Sequence, residues 1–484
     1  MDKKMTFPFE PLYFNDKIIT VNPCGYTGIV TLWSQPNWVL EKLKEADIDV
    51  SSKTSPIAAV GNLYGNGLPE LLRNLLYNPQ ISYIFIVGQD KSESARELKN
   101  YFIEGIEEKI FLGKKHYKIK GTSRLIDKML NPSLFVNPPT IMEIGDLTQP
   151  GSMKKLKEEF KTLKPSPCPF EVERVNIPLQ KIETERKPSN PRNHNIVEKD
   201  AITAWRELVY RIVRFGHLAH LRKGDRLELQ NVRVVVEAPG FYSEQDMEKY
   251  NLDPEILENY YDDFFEPGLT PDISYTYGNR LSKYFGTDTI QAVIENFERD
   301  LENRQSFVSL WDTKRDLVAK TGHPCLVSLY FRRFDHTLTL TANFRTHNLL
   351  DAWLVNFYGL LKVQNRVCHA LQIEKGPITV ISDSISIDPR HLDRAKTIIE
   401  DRPFRVVMDP HGNFSIELEE GQIVLKQFFN GVQIDEYRGA RASRIQHELN
   451  RKFAVSDINH AIYLGRMLER AEHCLKTGEE FTQE

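Results

Sequence analysis

The chain has 484 residues, a length typical of two to four domains, and its 40% hydrophobic content is enough for ordinary globular cores. Its 63 basic and 67 acidic residues leave a net charge of −4, without the basic excess that would indicate nucleic-acid or membrane-surface binding. The five cysteines are scattered, with no histidine spacing for zinc, so we expect a reducing cytoplasm and no metal. We see neither a signal peptide nor a membrane-spanning apolar run, and expect no membrane insertion.

Short apolar runs alternate with helical patterns in the first part of the chain. Residues 57–60 and 81–87 are typical of buried strands, and residues 69–77 between them have apolar side chains at helical spacing. Another helix is predicted at 93–102. This order predicts a βαβ unit and an α/β domain of parallel character in residues 1–164.

Glycine and asparagine cluster where two of these strands end, in residues 60–67 and 88–92. Open α/β sheets bind ligands at the carboxyl ends of their strands, so this edge is a candidate pocket. Tight turns alone would produce the same composition. The following residues, 165–195, are rich in proline and charge and are interpreted as an extended linker, with a proline-rich strand edge as the alternative.

The next predicted domain, residues 196–402, mixes long helices with strands and is expected to be α+β. An amphipathic helix is predicted at 201–216, followed by a basic turn that carries Arg222 before the strand at 232–236. This turn suits an anion, although solvated surface charge explains it equally well. A second helix is predicted at 287–301.

The most informative pattern is a β-hairpin, predicted from residues 326–330 and 337–344, that Cys325 opens and Arg345 closes. A guanidinium near a thiol favours the reactive thiolate and also offers a fork for phosphate. An inert core cysteine beside a surface arginine is the alternative interpretation. A helix follows at 349–371.

The Pro324-Cys325 pair, Arg345 twenty positions on and Asn356 beyond it resemble the active-site core of thymidylate synthases and the related pyrimidine hydroxymethylases. Segments 275–281, 304–311 and 205–226 are similar to further segments of that family, in the same order. The resemblance covers about residues 195–400.

The resemblance implies a role for each matched side chain. Cys325 is the expected nucleophile that adds to C6 of uracil, and Tyr277 serves the base that removes the C5 proton. Asn356 pairs with N3 and O4 of the pyrimidine, which favours uracil over cytosine. The expected phosphate contacts are Arg345, Thr346 and Arg304, the last reaching across a homodimer; Arg222 and Asp383 are further predicted substrate contacts.

The chain also departs from the family pattern. Leu326 replaces the histidine that normally follows the cysteine, and Gln305 replaces a second phosphate-binding arginine. Asn348 stands at the position of the carboxylate that grips the pterin. Ile385 and Ile387 replace a histidine and tyrosine pair that contacts the sugar, so sugar recognition must differ.

The segment at residues 71–81, together with residues 88–90 that follow the next strand, resembles the corrinoid-carrying subunit of tetrahydromethanopterin S-methyltransferase. That family has a histidine after this strand as the lower cobalt ligand. Residues 91–94 contain none here, so we expect a retained fold without cobamide binding.

The resemblance implies methylation of dUMP at C5, with methylene-tetrahydrofolate or methylene-tetrahydromethanopterin as the one-carbon donor. A pyrimidine nucleotide hydroxymethylase and a non-catalytic nucleotide-binding protein are the alternatives. Residues 403–484, with a strand-rich stretch and a helix at 458–476, are expected to form a C-terminal extension packed on the catalytic domain.

Overall fold

The structure is a computed structural model, and it describes residues 8–111, 114–164, 173–178, 187–190, 192–222, 224–255, 257, 260, 264–319, 322–400 and 408–484. The chain forms two compact units, Met1–Asp401 and Arg402–Glu484. Most of the predicted linker lies outside the described residues. The boundary at 165–195 and the docking of the C-terminal extension therefore stay predictions.

The strands of the first part of the chain are β1 Ile19–Thr20, β2 Thr27–Val30, β3 Ile57–Gly61, β4 Tyr83–Val87, β5 Ile106–Phe111, β6 Lys114–Ile119, β7 Leu125–Ile126 and β8 Thr140–Gly145. Five of them form a sheet in the order β1-β3-β2-β4-β8. β2, β3, β4 and β8 run parallel, and β1 pairs antiparallel at the edge. The predicted parallel character is confirmed, and β5, β6 and β7 form a small antiparallel sheet.

The helices of this part are Pro36–Glu45, Leu68–Tyr77, Ser94–Ile103 and Ser152–Thr162. The helix between β3 and β4 buries Leu68, Leu72 and Leu76, which recur at helical spacing, against the sheet. Proline stands in its first turn, where a missing N–H costs no helical hydrogen bond. It provides the crossover that parallel strands require.

The second large sheet contains β9 Asn195–Glu198, β10 His217–Leu221, β11 Gly224–Val236, β12 Phe307–Ser309, β13 Leu326–Phe334, β14 Thr337–Phe344, β15 His347–Asn348 and β16 Glu374–Ile387. Its main order is β10-β11-β16-β14-β13-β12, and β16 runs antiparallel to β11 but parallel to β14. The helices that accompany it are Ala201–Phe215, Glu244–Tyr250, Tyr277–Ser282, Thr289–Arg299, Thr313–Asp316, Trp353–Leu371 and Leu392–Glu400.

The predicted hairpin is confirmed, although its first strand continues to Phe334 instead of ending at residue 330. Arg332 and Arg333 pair with β14 because the two-residue turn comes only at Asp335 and His336. Both turn residues have positive φ, 48° and 64°, as tight hairpins with right-handed twist require.

The long helix predicted from residue 349 begins at Trp353. The N–H of Leu349 donates to the carbonyl of Ser386, and the indole of Trp205 donates to the carbonyl of Leu349. These bonds tie the segment before the helix to the sheet and to the first long helix. Tertiary contacts therefore delay the start of the helix by four residues.

The C-terminal unit is an antiparallel meander of β17 Asn413–Glu419, β18 Gln422–Phe429 and β19 Val432–Gly439, followed by helices Ala442–Arg451 and Ile458–Thr477. The predicted helix at 458–476 is confirmed to within one residue. Both turns place a positive-φ residue before glycine, Glu420 before Gly421 and Asn430 before Gly431. No helix within the described ranges is long and apolar enough to cross a membrane.

Candidate active site

Cys325 and Arg345 meet at the open end of the β13–β14 hairpin. Leu326 pairs directly with Phe344, so the residues just outside this pair face each other. The N–H of Arg345 donates to the Cys325 carbonyl at 3.0 Å, and its Nη2 lies 3.9 Å from the Cys325 sulfur. A fixed guanidinium at this distance stabilises negative charge on the sulfur.

Backbone carbonyls hold the Arg345 guanidinium in place. Its Nε donates to Pro324 at 2.8 Å and its Nη2 to His323 at 3.3 Å. The group also lies over the indole of Trp311, 5.6 Å from the ring centroid. The segment before the cysteine thereby orients the cation that faces the sulfur.

Tyr277 is buried and contacts the backbone of the residue that follows the cysteine. It starts the helix Tyr277–Ser282, which the side chain of Thr276 caps, and its hydroxyl accepts the N–H of Leu326 at 3.2 Å. Burial, followed by the charges of nearby tyrosine and cysteine side chains, raises the pKa of Tyr277 well above its ordinary value. The phenol is therefore neutral at physiological pH and offers its proton.

Asn356 stands in a buried chain of hydrogen bonds. Its Oδ1 accepts from the hydroxyl of Tyr260 at 2.6 Å, and its Nδ2 lies 2.9 Å from Nε2 of His347. Nδ1 of the same histidine lies 3.1 Å from the hydroxyl of Ser382. Burial lowers the pKa of His347 to about 3, so the imidazole is neutral. With Nδ2 as donor, Nε2 must accept, and the histidine proton therefore resides on Nδ1.

Sequence reasoning missed His347, because its role depends on the return of β15 alongside β16. Its position two residues after Arg345 was the only available signal. The same neighbourhood contains a second missed residue, Asp351, which accepts a hydrogen bond from Nδ2 of Asn348 at 3.1 Å.

Asp351 supplies a carboxylate beside the position where Asn348 replaces one. Its oxygens also accept from Asn66 at 2.6 Å and pair with Arg394 at 3.0 Å. Burial raises the pKa of Asp351, but the neighbouring side chains of Arg394, His391 and Arg124, together with the Asn66 amide, outweigh that effect and hold the pKa well below its usual range. The carboxylate is charged.

The remaining predicted contacts lie outside this cluster of bonds. Thr346 is half-buried between β14 and β15, next to Arg345, whereas Arg304 and Asp383 are exposed. Arg222 lies at the β10–β11 turn and pairs with Asp16 at 3.4 Å. Among the described residues, no hydrogen bond or ion pair links Arg304, Arg222 or Asp383 to Cys325 or Arg345.

The predicted pocket at the carboxyl edge of the first sheet is partly filled by the segment that precedes Tyr277. Ser34, after β2, donates a hydrogen bond to the carboxylate of Asp272. Gln89, after β4, donates to Thr270 and lies 3.3 Å from Asp272. The N–H of Gln35 donates to the Asp272 carbonyl at 3.1 Å. This edge therefore binds residues 270–272 of the same chain.

The arrangement suits an organic anion with a planar ring. It combines a thiol, a fixed guanidinium, a buried amide and neutral aromatic side chains. Where side chains are described, no group of three histidine, cysteine or acidic residues has the geometry to hold a metal ion.

Comparison with known proteins gives one family-model match and several similar proteins. A family model described as PterinBD-DUF4346 matches residues 408–484. The chain is 28% identical over 221 residues to a protein of Methanothermobacter thermautotrophicus named "Putative thymidylate synthase", a match that covers 43% of this chain and 99% of that protein. A protein of the same name from Methanococcoides burtonii is 32% identical over 203 residues, covering 41% and 90%.

A third protein of that name, from Methanothermobacter marburgensis, is 32% identical over 153 residues and is covered to 68%. The first two matches cover 99% and 90% of their relatives, and the match at 32% identity to the Methanococcoides burtonii protein spans 203 residues of this chain. The chain therefore belongs to the thymidylate synthase family represented by these proteins.

Proposed function

We propose that the chain methylates dUMP at C5, with a methylene-tetrahydropterin as the one-carbon donor. The observation that carries the proposal is the Cys325 sulfur 3.9 Å from the Arg345 guanidinium, at the end of a hairpin that also leads to the buried Asn356 amide. A thiolate and a fixed cation meet the needs of nucleophilic addition to an anionic pyrimidine nucleotide.

In the proposed reaction the Cys325 thiolate adds to C6 of uracil, and the electron pair of the C5–C6 bond moves into an enolate. C5 then attacks the iminium methylene carbon of the pterin and forms the new C–C bond. The C5 proton leaves to a base through water, and the pterin amine is expelled. Hydride from the pterin reduces the resulting methylene to methyl while the thiolate leaves C6, so the pterin departs as its dihydro form.

Tyr277 contributes to this sequence as a neutral hydrogen-bonding group. Since its pKa is raised, a phenolate is not available as the base. Its hydroxyl can orient the water that takes the C5 proton, in keeping with its contact to the N–H that follows Cys325. This is a positioning role for the phenol.

Asn356 is suited to read uracil because its neighbours fix the direction of its amide. The Oδ1 that accepts from Tyr260 has a second lone pair for N3–H, and the Nδ2 that donates to His347 has a second hydrogen for O4. A fixed amide cannot rotate to match cytosine, which reverses both groups.

A pterin donor is supported by two comparisons. The relatives carry the name of an enzyme of this chemistry, and the C-terminal match has a description that refers to pterin binding.

We further propose a homodimer in which the exposed Arg304 reaches the phosphate of the partner's nucleotide. Light scattering of the full chain tests the dimer.

Hydroxymethylation is the second candidate because sugar recognition differs from the family pattern. Ile385 and Ile387 are almost fully buried, at 0% and 1% exposure, so neither position reaches a nucleotide. A pocket with altered sugar contacts can also admit water to the exocyclic methylene. Hydration in place of hydride transfer would then give 5-hydroxymethyl-dUMP and leave the pterin unoxidised.

The experiment is a product assay with dUMP and either methylene-pterin, without any other reductant. We expect thymidylate and an equal amount of dihydropterin from the wild type and none from Cys325→Ala or Cys325→Ser. Cys24→Ala, at an exposed cysteine, is the matched control and retains activity. Turnover by Cys325→Ala would rule out the proposal, and a hydroxymethyl product would establish the second candidate.

A further inference from the structure

Two large aromatic side chains of the first sheet stand exposed beside the active-site segment. Trp33 and Tyr64 follow β2 and β3, and their rings contact each other with centroids 4.9 Å apart and planes tilted by 33°. They remain 39% and 48% exposed. Two exposed rings in contact at the carboxyl edge of an α/β sheet offer an aromatic surface where such sheets bind ligands.

This aromatic platform, Trp33 and Tyr64, lies in loops that contact the segment leading to Tyr277. Gln35, two residues after Trp33, donates from Nε2 to the hydroxyl of Ser274 at 2.6 Å, and the next residue, Tyr275, packs on Tyr277 with ring centroids 6.0 Å apart. On the Trp33 side, the backbone N–H of Trp33 donates to the Gln89 carbonyl at 3.2 Å. Gln89 also bonds Thr270, in the segment that leads to Tyr275 and Tyr277.

The loop that carries Tyr64 also reaches the region around Asn348. Asn66 donates to Asp351 at 2.6 Å, and Asp351 accepts from Asn348 at 3.1 Å. Arg124 fixes the loop, because it donates to the Gly65 carbonyl at 2.8 Å and to Oδ1 of Asn66 at 2.6 Å. The same short loop therefore carries the Tyr64 ring and an amide that bonds the charged carboxylate.

We infer that the platform formed by Trp33 and Tyr64 binds the fused heterocycle of the reduced pterin, and that the first domain thereby completes the co-substrate site. The inference rests on the proposed function. In the proposed reaction the uracil ring lies against Cys325 and the buried Asn356, so the exposed platform is left for the second ring. A planar heterocycle stacks on aromatic faces, and its ring N–H groups suit the charged Asp351 oxygens.

The test measures pterin binding and turnover separately in the full chain. Wild type, Trp33→Ala, Tyr64→Ala and Tyr64→Phe are titrated anaerobically with tetrahydrofolate and tetrahydromethanopterin by calorimetry. The same proteins are then assayed with dUMP and the methylene forms. Phe285→Ala is the matched control, since Phe285 is 41% exposed and packs on Tyr284 at 4.8 Å in an aromatic pair of its own.

We expect each alanine variant to raise the pterin Kd and KM about fivefold or more, the scale of one lost stacking contact, with the KM for dUMP within about twofold of the wild type. Tyr64→Phe retains the ring and stays near the wild type. If the wild type binds pterin and both alanine variants bind it equally well, the inference is wrong while the proposed function stands. If the wild type binds neither pterin and gives no product, the proposed function fails, and the inference falls with it.

Discussion

His347 shows how a single buried side chain fixes the direction of a recognition group. Its neutral ring accepts from Asn356 and donates to Ser382, so the Asn356 amide has one orientation in which every partner is satisfied. Tyr260 enforces the same orientation from the other side. If Asn356 reads the base as proposed, specificity for a pyrimidine would depend on residues that need not contact it.

Replacement of Asn356 by aspartate is expected to shift base preference toward cytosine. A protonated carboxyl can donate to N3 of cytosine and accept from its amino group, a pattern that the fixed amide cannot provide. In competition between dUMP and dCMP, we expect Asn356→Asp to lower the kcat/KM for dUMP relative to that for dCMP at least about tenfold. This is the scale expected when one buried polar group loses its hydrogen-bond partner. An unchanged ratio would contradict the assigned role.

The buried His347 is expected to make the stability of the protein depend on pH. The pKa of His347 is about 3 in the folded protein, below its ordinary value of 6.5, so the unfolded chain binds the extra proton between these values. The contribution of the neutral His347 ring to the free energy of unfolding is therefore fully present above about pH 6.5. Below that pH the free energy of unfolding falls, by at most about 1.4 kcal/mol per pH unit.

Urea denaturation between pH 7 and pH 5 measures this dependence. We expect His347→Gln to be less stable than the wild type at pH 7 but to lose less stability toward pH 5, because glutamine takes up no proton. His336→Gln, at an exposed turn, controls for the loss of one imidazole. Equal slopes for the wild type and His347→Gln would contradict a neutral buried ring.

At the scale of elements, a buried ion pair joins the helix of Tyr277 to the segment after β12. Arg280 forms a two-pronged contact with Asp316 at 2.9 and 2.7 Å, both side chains fully buried, and donates to the Leu310 carbonyl at 3.1 Å. Breaking one half of such a pair leaves an uncompensated charge in the core. The pair therefore anchors the helix that begins with Tyr277.

Arg280→Met is expected to lower the free energy of unfolding by about 3–5 kcal/mol, measured by urea denaturation. The double variant Arg280→Met/Asp316→Leu should recover most of that loss, since no lone charge remains. Arg366→Met, which breaks an exposed pair with Asp288, is the control and changes stability by less than about 1 kcal/mol. A loss in the double variant equal to that in Arg280→Met would show that the buried charge is not the cause.

Local patterns predicted the elements better than the contacts between them. The β13–β14 hairpin and the helix Ala201–Phe215 follow from alternation and periodicity, and so does the opposition of Cys325 and Arg345. The late start at Trp353 depends on bonds to β16 and to Trp205, residues far away in the chain. His347 and Asp351 escaped prediction for the same reason, since a long-range partner defines each role.

At the scale of the whole molecule, the first sheet and the second meet within one compact unit. Ser34 and Gln89 at the edge of the first sheet hold Thr270 and Asp272, which precede the active-site tyrosines. The sequence predicted a ligand-binding site at this edge. Glycine-rich strand ends have the same composition whether they bind a small molecule or another segment of the chain, so the sequence could not distinguish the two. Only the fold shows that part of this edge binds the chain itself.

The choice of pterin is the last prediction, and we expect methylene-tetrahydromethanopterin to give a higher kcat/KM than methylene-tetrahydrofolate. Asn348 places a neutral amide where the family resemblance implies a carboxylate, and the nearby charge belongs to Asp351, held by Asn66 in the loop after β3. Because the carboxylate stands at position 351 and not at position 348, the site should favour a pterin other than folate. Parallel assays with dUMP measure the ratio, and Asn348→Asp should raise the relative efficiency with the folate by about tenfold, the scale of one charged hydrogen bond. Equal or greater efficiency of the wild type with methylene-tetrahydrofolate would show that the relocated carboxylate does not select the carrier.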